Sequence, residues 1–224
     1  MLERLYSKEC MNNKTATYTI LGVDKKNRRI GAASASCVIG IGGRIQFYRP
    51  QIGIVITQHI DTPDIANTIF DELGLGNDLL SAIELAVNSF SDKYLRQIAV
   101  INFLGEIESF SGDGCTEITS TFSEGNFHFI GNTLSEDFCS IFKEKVEILD
   151  EDKSLSENLL YLLNTFYDLG ADKRGCESAA LLVVPFEIYG WESQVVNLRV
   201  DYSKKPVEDL KKLYKLWCSR FGIQ

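Results

Sequence analysis

A succession of short strands near the start of the chain constrains its fold most strongly. Residues 17–24 and 30–34 are mainly apolar or small, and a polar turn joins them, which is typical of a buried β-hairpin. A glycine-rich turn at residues 40–43 follows, and the apolar residues 52–57 predict another strand that leads into Gln58. This arrangement predicts that Thr17 stands at the head of a buried strand, at the end of a sheet.

The composition fits one globular domain that is large enough to bury two packed sheets. The chain has 224 residues, of which 45% are hydrophobic and 24% charged, and its formal net charge is -8. Nucleic acids and anionic membranes bind basic surfaces, so this acidic balance argues against both as partners. Residues 1–16 contain no hydrophobic region typical of an export signal, and no stretch of sequence predicts a membrane span. A cytoplasmic location is therefore predicted.

The cysteine, histidine and glycine patterns predict no metal and no cofactor. The six cysteines include no CxxC pair, and the two histidines do not form an HExxH motif. Cys37, Cys115 and Cys176 have no histidine nearby in the sequence, so we interpret them as inert thiols. Residues 40–43 lack the Lys and Ser/Thr pair of a phosphate-binding loop, and we interpret them as a strand-to-strand turn at which no helix begins.

Strands and helices alternate in blocks along the chain, which predicts an α+β protein with two stacked sheets flanked by helices. Apolar residues at helical spacing occur in residues 62–73, 78–89, 135–149, 155–169 and 207–221. Further strands are predicted at residues 97–102, 106–110, 127–130, 179–184 and 194–201.

Several blocks in this order resemble an uncharacterised, mainly bacterial family of unknown function. The blocks are residues 17–24, 33–40, 53–58, 96–97, 111–112, 131–132, 170–182 and 197–201. The family lies within the N-terminal-nucleophile (Ntn) hydrolase superfamily, which includes proteasome β subunits. The resemblance implies a four-layer α/β/β/α sandwich, hydrolysis of an amide bond and assembly into a homo-oligomer.

The resemblance also implies a catalytic role for Thr17, which matches the opening threonine of the family. An N-terminal threonine combines a hydroxyl nucleophile with an α-amine whose pKa near 8 lets it accept the hydroxyl proton at neutral pH. Sixteen residues precede Thr17, so its amine is free only if the bond between Ala16 and Thr17 is cut. Residues 1–16 are therefore interpreted as an extension or leader and residues 17–224 as one domain, with Met11 as an alternative start.

Ser34 and Ser36 alternate on the second strand, so their side chains lie on one face and are predicted to face the same cleft as Thr17. The alternative is that such small residues only permit close packing of the sheet. In related enzymes a lysine near this strand often lowers the pKa of the nucleophile. Here Ala35 and Cys37 flank Ser36.

Two amide side chains and four residues at strand entrances complete the predicted site. Gln58 and Asn132 are candidate donors to a developing oxyanion, although each would serve equally to cap a turn. An arginine at a strand entrance can hold a carboxylate in bidentate geometry, and a neighbouring aspartate can orient it. The alternative for Asp172 and Arg174 is that they belong to an exposed charged loop with no role in binding. The predicted substrate-binding residues are Arg96, Asp172, Arg174 and Ser178.

Two functions fit these observations. The first is an Ntn-type amidohydrolase that acts on a small amide or peptide-like substrate, with Thr17, Ser34, Gln58 and Asn132 in the catalytic centre. The alternative is a catalytically silent binding or assembly protein that retains the sandwich but has no liberated nucleophile.

Overall fold

The chain folds into two antiparallel sheets, as seen in a computed structural model that describes residues 17–115, 118–186 and 196–221. The predicted leader, residues 1–16, lies outside the described residues. The strands are β1 (Thr17–Asp24), β2 (Arg29–Ser36), β3 (Gln46–Arg49), β4 (Gly53–His59), β5 (Arg96–Asn102), β6 (Ile107–Ser111), β7 (Ser120–Glu124), β8 (Phe127–Asn132), β9 (Ser178–Pro185) and β10 (Val196–Val200).

The helices connect and cover these sheets. They are α1 (Ile41–Ile45), α2 (Pro63–Gly74), α3 (Leu79–Asn88), α4 (Cys139–Glu147), α5 (Leu155–Asp168) and α6 (Pro206–Phe221), with a 3₁₀ turn at Lys93–Leu95. A helix with the length and apolar character needed to cross a bilayer does not occur in the described parts of the chain.

The layers stack in the order helix, sheet, sheet, helix. The larger sheet has the strand order β10-β9-β2-β1-β8-β7, and the smaller has the order β3-β4-β5-β6. One apolar cluster joins the larger sheet to α4, α5 and α6, a second fills the space between the sheets, and a third joins the smaller sheet to α2 and α3. The predicted α+β class and the four-layer α/β/β/α sandwich are confirmed.

Strand alternation decides which side chains enter which layer. Along β1, Tyr18 and Ile20 pack toward the helices, whereas Leu21 and Val23 pack between the sheets. The predicted strand at residues 179–184 is confirmed as β9, and its side chains alternate between the same two clusters. It is therefore buried on both faces, which explains its unbroken apolar sequence.

Local signals account for the helix ends. Ser154 and Glu157 form a reciprocal capping box at the start of α5, and Gly170 follows its end with a φ of 69°. Asp78 caps α3 by accepting from the backbone N–H of Ser81. Thr62 precedes Pro63 at the start of α2, as expected, but makes no capping bond with its side chain.

The structure corrects the interpretation of residues 40–43. A short helix, α1, begins at Ile41, directly after Gly40, which has a φ of 71°. A Cβ atom added at Gly42 would meet the side chains of Ala180 and Arg199. Glycine is thus needed at this position because α1 lies close against β9 and β10, a contact that local sequence does not reveal.

Two strands were not predicted, and one predicted helix is too long. Strands β3 and β7 are four and five residues long, partly exposed and rich in polar residues, so their alternation is weak. Helix α4 begins at Cys139 rather than at residue 135. Leu134 forms an isolated bridge with Asp172, and the N–H of Ser135 donates to Ala171, so the chain is extended there.

An aromatic cluster anchors the helices to the larger sheet. The ring of Phe129 lies 4.8 Å from that of Phe122, 5.1 Å from that of Phe166 and 5.9 Å from that of Phe142, measured between centroids. Phe129 is fully buried on β8 and also stacks on Tyr18. It therefore links strands β1 and β7 to helices α4 and α5.

We expect Phe129→Ala to reduce the free energy of unfolding by about 3–5 kcal/mol, because it removes buried apolar surface and leaves a cavity. Phe221→Ala is the control, since Phe221 is 60% exposed, and should change stability by less than about 0.5 kcal/mol. Denaturant titration measures both values, and equal effects would contradict the anchoring role of Phe129.

His128 is a polar exception within the layer between the sheets. It lies on β8, where Ser123 Oγ is 2.7 Å from its Nδ1 and Thr121 Oγ1 is 3.3 Å from its Nε2. Burial lowers the pKa of His128 from 6.5 to about 4. The ring is therefore neutral in the folded protein at physiological pH.

Between these two pKa values the unfolded chain binds a proton that the folded chain does not, so stability falls as the pH drops from about 6.5 to about 4. We expect this single group to cost about 3 kcal/mol across that window. His128→Gln should remove this component. Urea titrations of both proteins from neutral to acidic pH measure the difference, and parallel pH curves would contradict the burial of a neutral ring.

Candidate functional site

Polar side chains replace apolar ones at one end of the layer between the sheets. They come from the first residues of β1, the last of β2, β4 and β8, and the start of β5. We call this group the polar end. Its members, all buried, are Thr17, Thr19, Ser34, Ser36, Gln58, Gln97 and Asn132.

Thr17 lies at the head of β1 with its side chain in this group. Its Oγ1 is 3.0 Å from Ser36 Oγ, which also accepts from the backbone N–H of Val38 at 3.1 Å. The predicted placement of Ser36 on the same face as Thr17 is thus observed. Ser34 faces the same way but contacts Thr19, with 2.8 Å between their hydroxyl oxygens.

A small cleft opens beside Thr17. It is lined by Thr17, Val38, Ile41, Arg44, Ile45, Gln58, His59 and Asp61, and its volume is about 10 Å³. A space of this size holds about one water molecule. Thr17 therefore borders a cleft between the layers.

The direction of the hydrogen bonds in the polar end follows from one backbone carbonyl. Gln97 Nε2 donates to Gly131 O at 3.0 Å, and a carbonyl can only accept. Gln97 Oε1 must therefore face Gln58 and Asn132, whose NH₂ groups donate to it at 2.7 Å and 3.1 Å. The orientation of all three amides is set by this argument.

The same logic extends to the hydroxyl groups. Since Gln58 presents its NH₂ to Gln97, its Oε1 accepts from Thr19 Oγ1 at 3.0 Å. Thr19 then accepts from Ser34, and Ser34 accepts from Gln46 Nε2 at 2.9 Å. Each of these hydroxyls donates once and accepts once, so the chain of hydrogen bonds is satisfied.

Both predicted amide donors are already engaged in this network. Gln58 Nε2 donates to Gln97 and, in a long bond of 3.4 Å, to the carbonyl of Thr17. Asn132 donates to Gln97, while its Oδ1 is buried with no hydrogen-bond partner among the described residues. The long bond of Gln58, the second N–H of Asn132 and its unpaired oxygen are the groups of these two amides that remain for a ligand in the described structure.

Asp172 and Ser178 hold the loop that follows β2. Asp172 Oδ2 accepts from the N–H of Cys37 at 3.0 Å, and Oδ1 accepts from the N–H of Arg174 at 2.9 Å. Ser178 Oγ donates to Val38 O and accepts from Ile41 N at 3.2 Å. These two residues thus shape the wall of the cleft through the backbone.

Burial raises the pKa of Asp172, and the hydrogen bond and charge of Arg174 oppose that rise. The Arg174 guanidinium lies 3.8 Å from the Asp172 carboxylate and is about one-third exposed. The structure therefore places Asp172, Arg174 and Ser178 at the same end of the larger sheet as Thr17.

Arg96 lies apart from this group and its guanidinium is engaged. Its Nε and one terminal nitrogen donate to Asp92 at 2.9 Å and 3.1 Å, and the other donates to Thr62 Oγ1 at 2.9 Å. It also stacks on Phe90 at 4.4 Å. This explains why Thr62 does not cap α2, and it indicates that Arg96 fastens β5 to the loop before that helix.

Sequence reasoning missed two residues that line the cleft, Arg44 and Asp61. Arg44 on α1 forms a bidentate ion pair with Asp61, which follows β4, at 2.8 Å and 3.0 Å. His59 has a φ of 71°, its Nδ1 lies 2.6 Å from Leu95 O, and burial lowers its pKa. Only the position of His59 beside Gln58 signalled a role, because Arg44 and Asp61 meet through the unpredicted helix α1.

Two half-buried thiols are poorly suited to act as nucleophiles. Burial raises the pKa of Cys115 from 9.0 to about 11, and burial also raises the pKa of Cys176. Since the thiolate is the reactive form, neither group is activated at neutral pH.

We expect Gln97→Leu to reduce the free energy of unfolding by about 2–4 kcal/mol, because the amides of Gln58 and Asn132 and the carbonyl of Gly131 each lose a buried partner. Gln46→Leu is the matched control. Gln46 is half-buried and donates one bond at the edge of the network, so its loss should cost about 1 kcal/mol or less. Equal costs in denaturant titrations would contradict the central role of Gln97.

One of the solved structures compared with this chain matches its fold. A crystal structure of protein SPO2555 from Silicibacter pomeroyi has a TM-score of 0.78 and 23% sequence identity, over 91% of this chain and 89% of that one. Anbu (ancestral beta-subunit) from Yersinia bercovieri gives a TM-score of 0.44 at 13% identity, over 92% of this chain and 97% of that one. Anbu from Hyphomicrobium sp. strain MC1 gives 0.42 at 12%, over 91% and 95%.

No curated protein matches the sequence. The model of a family of unknown function, DUF1028, matches residues 17–210, and the Silicibacter pomeroyi protein is also assigned to that family. The match spans most of the chain and begins at Thr17. The chain therefore belongs to the family of unknown function DUF1028.

Proposed function

We propose that this protein is an Ntn-type amidohydrolase in which Thr17 Oγ1 is the nucleophile and a small amide or peptide-like molecule is the substrate. One observation carries the proposal: the hydroxyl of Thr17 borders a cleft between the sheets, 3.0 Å from Ser36 Oγ, at the head of a central strand. The family match supports it, because it begins at this residue.

The reaction requires that the Ala16–Thr17 bond is hydrolysed first, which gives Thr17 a free α-amine. That amine takes the proton of the Thr17 hydroxyl while Oγ1 attacks the carbonyl carbon of the substrate. The protonated amine then gives its proton to the departing amine, which leaves an ester on Oγ1. A water molecule, deprotonated by the same amine, hydrolyses this ester and restores Thr17.

Ser36 and Gln58 support these steps in the proposal. Ser36 Oγ is held by the N–H of Val38 and fixes the direction of Thr17 Oγ1. The 3.4 Å bond from Gln58 Nε2 to the carbonyl of Thr17 is the weakest of its contacts. The N–H of Gln58 that makes this long bond can therefore turn most easily toward a negatively charged oxygen on the substrate. Ser34 acts indirectly, because it orients Thr19 and through it Gln58.

In this proposal the substrate enters beside Arg174, while the buried Asp172 and Ser178 act through the loop that they hold. Arg174 is about one-third exposed and can pair with a carboxylate on the substrate. Arg96 is less suited to this role because Asp92 and Thr62 occupy its guanidinium. We also propose that the protein is cytoplasmic and that it assembles as a homo-oligomer. Light scattering would test the oligomeric state.

The second candidate is a silent binding or assembly protein. Two observations favour it: the cleft beside Thr17 has room for about one water molecule, and no lysine lines it among the described residues. In that case the Ala16–Thr17 bond stays intact in the purified protein.

The two candidates differ in the intact mass of the purified protein and in the effect of Thr17 substitutions. We expect the measured mass to be that of a chain whose first residue is Thr17. We also expect Thr17→Ala to lower the rate of amide hydrolysis by about 10³-fold or more, while Thr17→Ser retains part of the activity. Thr68→Ala is the control, since Thr68 is partly exposed on α2 and does not line the cleft, and it should retain full activity.

Activity should be measured on a panel of small amides, with ligands first selected by the thermal shifts that they produce. Thr17→Ala should change the free energy of unfolding by no more than about 1.5 kcal/mol. A mass that retains residues 1–16, or undiminished turnover in Thr17→Ala, would contradict the proposal.

A further inference from the structure

Asn132 carries a polar atom that the described fold does not satisfy. Side-chain atoms that are buried without a hydrogen-bond partner in the described chain are Thr57 Oγ1, Asn132 Oδ1 and Ser135 Oγ. Buried polar atoms are nearly always paired, so an unpaired one needs an explanation. Asn132 is the one of these three that belongs to the polar end.

The unpaired atom is an oxygen, and exchanging the two amide atoms of Asn132 does not remove the problem. Gln97 Oε1 faces Asn132 because Gln97 Nε2 is held by the carbonyl of Gly131. An acceptor must face a donor, so Asn132 turns its NH₂ toward Gln97 at 3.1 Å. Its Oδ1 therefore presents a free acceptor to the rest of the polar end.

This acceptor lies beside Thr17. Thr17 and Asn132 are direct partners in the antiparallel pairing of β1 and β8. Both side chains lie between the sheets, since Thr17 borders the cleft with Gln58 and Asn132 contacts Gln97 on the opposite sheet. Side chains of direct partners on one face start about 4.5–5.5 Å apart.

Hydrolysis of the Ala16–Thr17 bond would change the number of donors at this position. A peptide nitrogen carries one hydrogen, whereas a free amine carries two and an ammonium carries three. These additional hydrogens arise on the residue that pairs directly with Asn132 across β1 and β8. We infer that Asn132 Oδ1 binds the free α-amine of Thr17 and orients it toward Thr17 Oγ1, which makes Asn132 a positioning residue.

The inference rests on the proposed function and changes one part of it, because Asn132 then acts as an acceptor for the amine and not as a donor to an oxyanion. An acceptor beside an amine favours its protonated form and so raises its pKa. The pKa of the Thr17 α-amine is therefore a direct readout of Asn132, and a merely structural role would not change it.

The experiment uses the full chain with residues 13–16 replaced by the recognition sequence of a site-specific protease that leaves Thr17 first. This supplies the free amine whether or not the protein processes itself. NMR titration of the labelled Thr17 amine gives its pKa in the unaltered site and in Asn132→Leu, Asn132→Asp and Thr57→Val.

We expect Asn132→Leu to lower the pKa of the amine by about one unit, because the acceptor is lost, and Asn132→Asp to raise it by about one unit or more, because a carboxylate takes its place. Thr57→Val is the matched control. It also removes an unpaired buried oxygen, but Thr57 is on the opposite face of β4 from Gln58, and the pKa of the amine should stay unchanged.

The outcomes separate this inference from the proposed function. If the pKa of the amine is the same in Asn132→Leu and Asn132→Asp as in the unaltered site, the inference is wrong even when the protein hydrolyses amides. If Asn132→Leu does not fold, Asn132→Asp alone decides, since it keeps the shape of the side chain. If the pKa shifts as expected but no amide is hydrolysed, the inference holds and the proposed chemistry fails.

Discussion

The hydrogen bond from Gln97 Nε2 to the carbonyl of Gly131 determines the arrangement of most of the polar end. It joins the two sheets, since Gln97 belongs to β5 and Gly131 to β8. Because a backbone carbonyl has no alternative role, the bond fixes Gln97, then Gln58 and Asn132, and through Gln58 the hydroxyls of Thr19 and Ser34. One main-chain group of the fold thus orients a set of side chains that would otherwise have several equivalent arrangements.

This hydrogen-bond network is confined to one end of the layer between the sheets. Apart from the neutral ring of His128, the rest of the described space between the sheets is filled by apolar residues such as Leu21 and Ile56, beside which an unpaired polar group is costly. At the strand ends the network is flanked by the loop after β2, which Asp172 and Ser178 hold through backbone contacts. The site is therefore supported by rigid strands on one side and by a fastened loop on the other.

Much of the fold could be predicted because its signals are local. The alternation in β1 and β2, the unbroken apolar run of β9 and the caps of α3 and α5 each reflect short-range rules. Helix α1 and strands β3 and β7 could not be predicted, because they are short, polar or glycine-containing and depend on contacts with distant strands.

The site divides in the same way. The shared face of Thr17 and Ser36 follows from the period of two along a strand, and the cleft beside Thr17 was expected. The pairing of Arg44 with Asp61 and the central position of Gln97 arise from the stacking of separate sheets. Arg96 pairs with Asp92, which is only four residues away in the sequence. The polar residues around Arg96 nevertheless gave no sign that its guanidinium is buried.

The register of β1 has a consequence for the integrity of the sandwich. Strand β1 forms one hydrogen-bonded ladder with β2 and another with β8. As described, both ladders begin at Thr17, which lies opposite Ser36 and Asn132. A cut on the amino side of that residue would sever none of the described rungs of either ladder. Cleavage of the peptide bond before Thr17 would thus create a chain terminus inside the candidate site, while the described β-ladders on both sides of β1 stay intact.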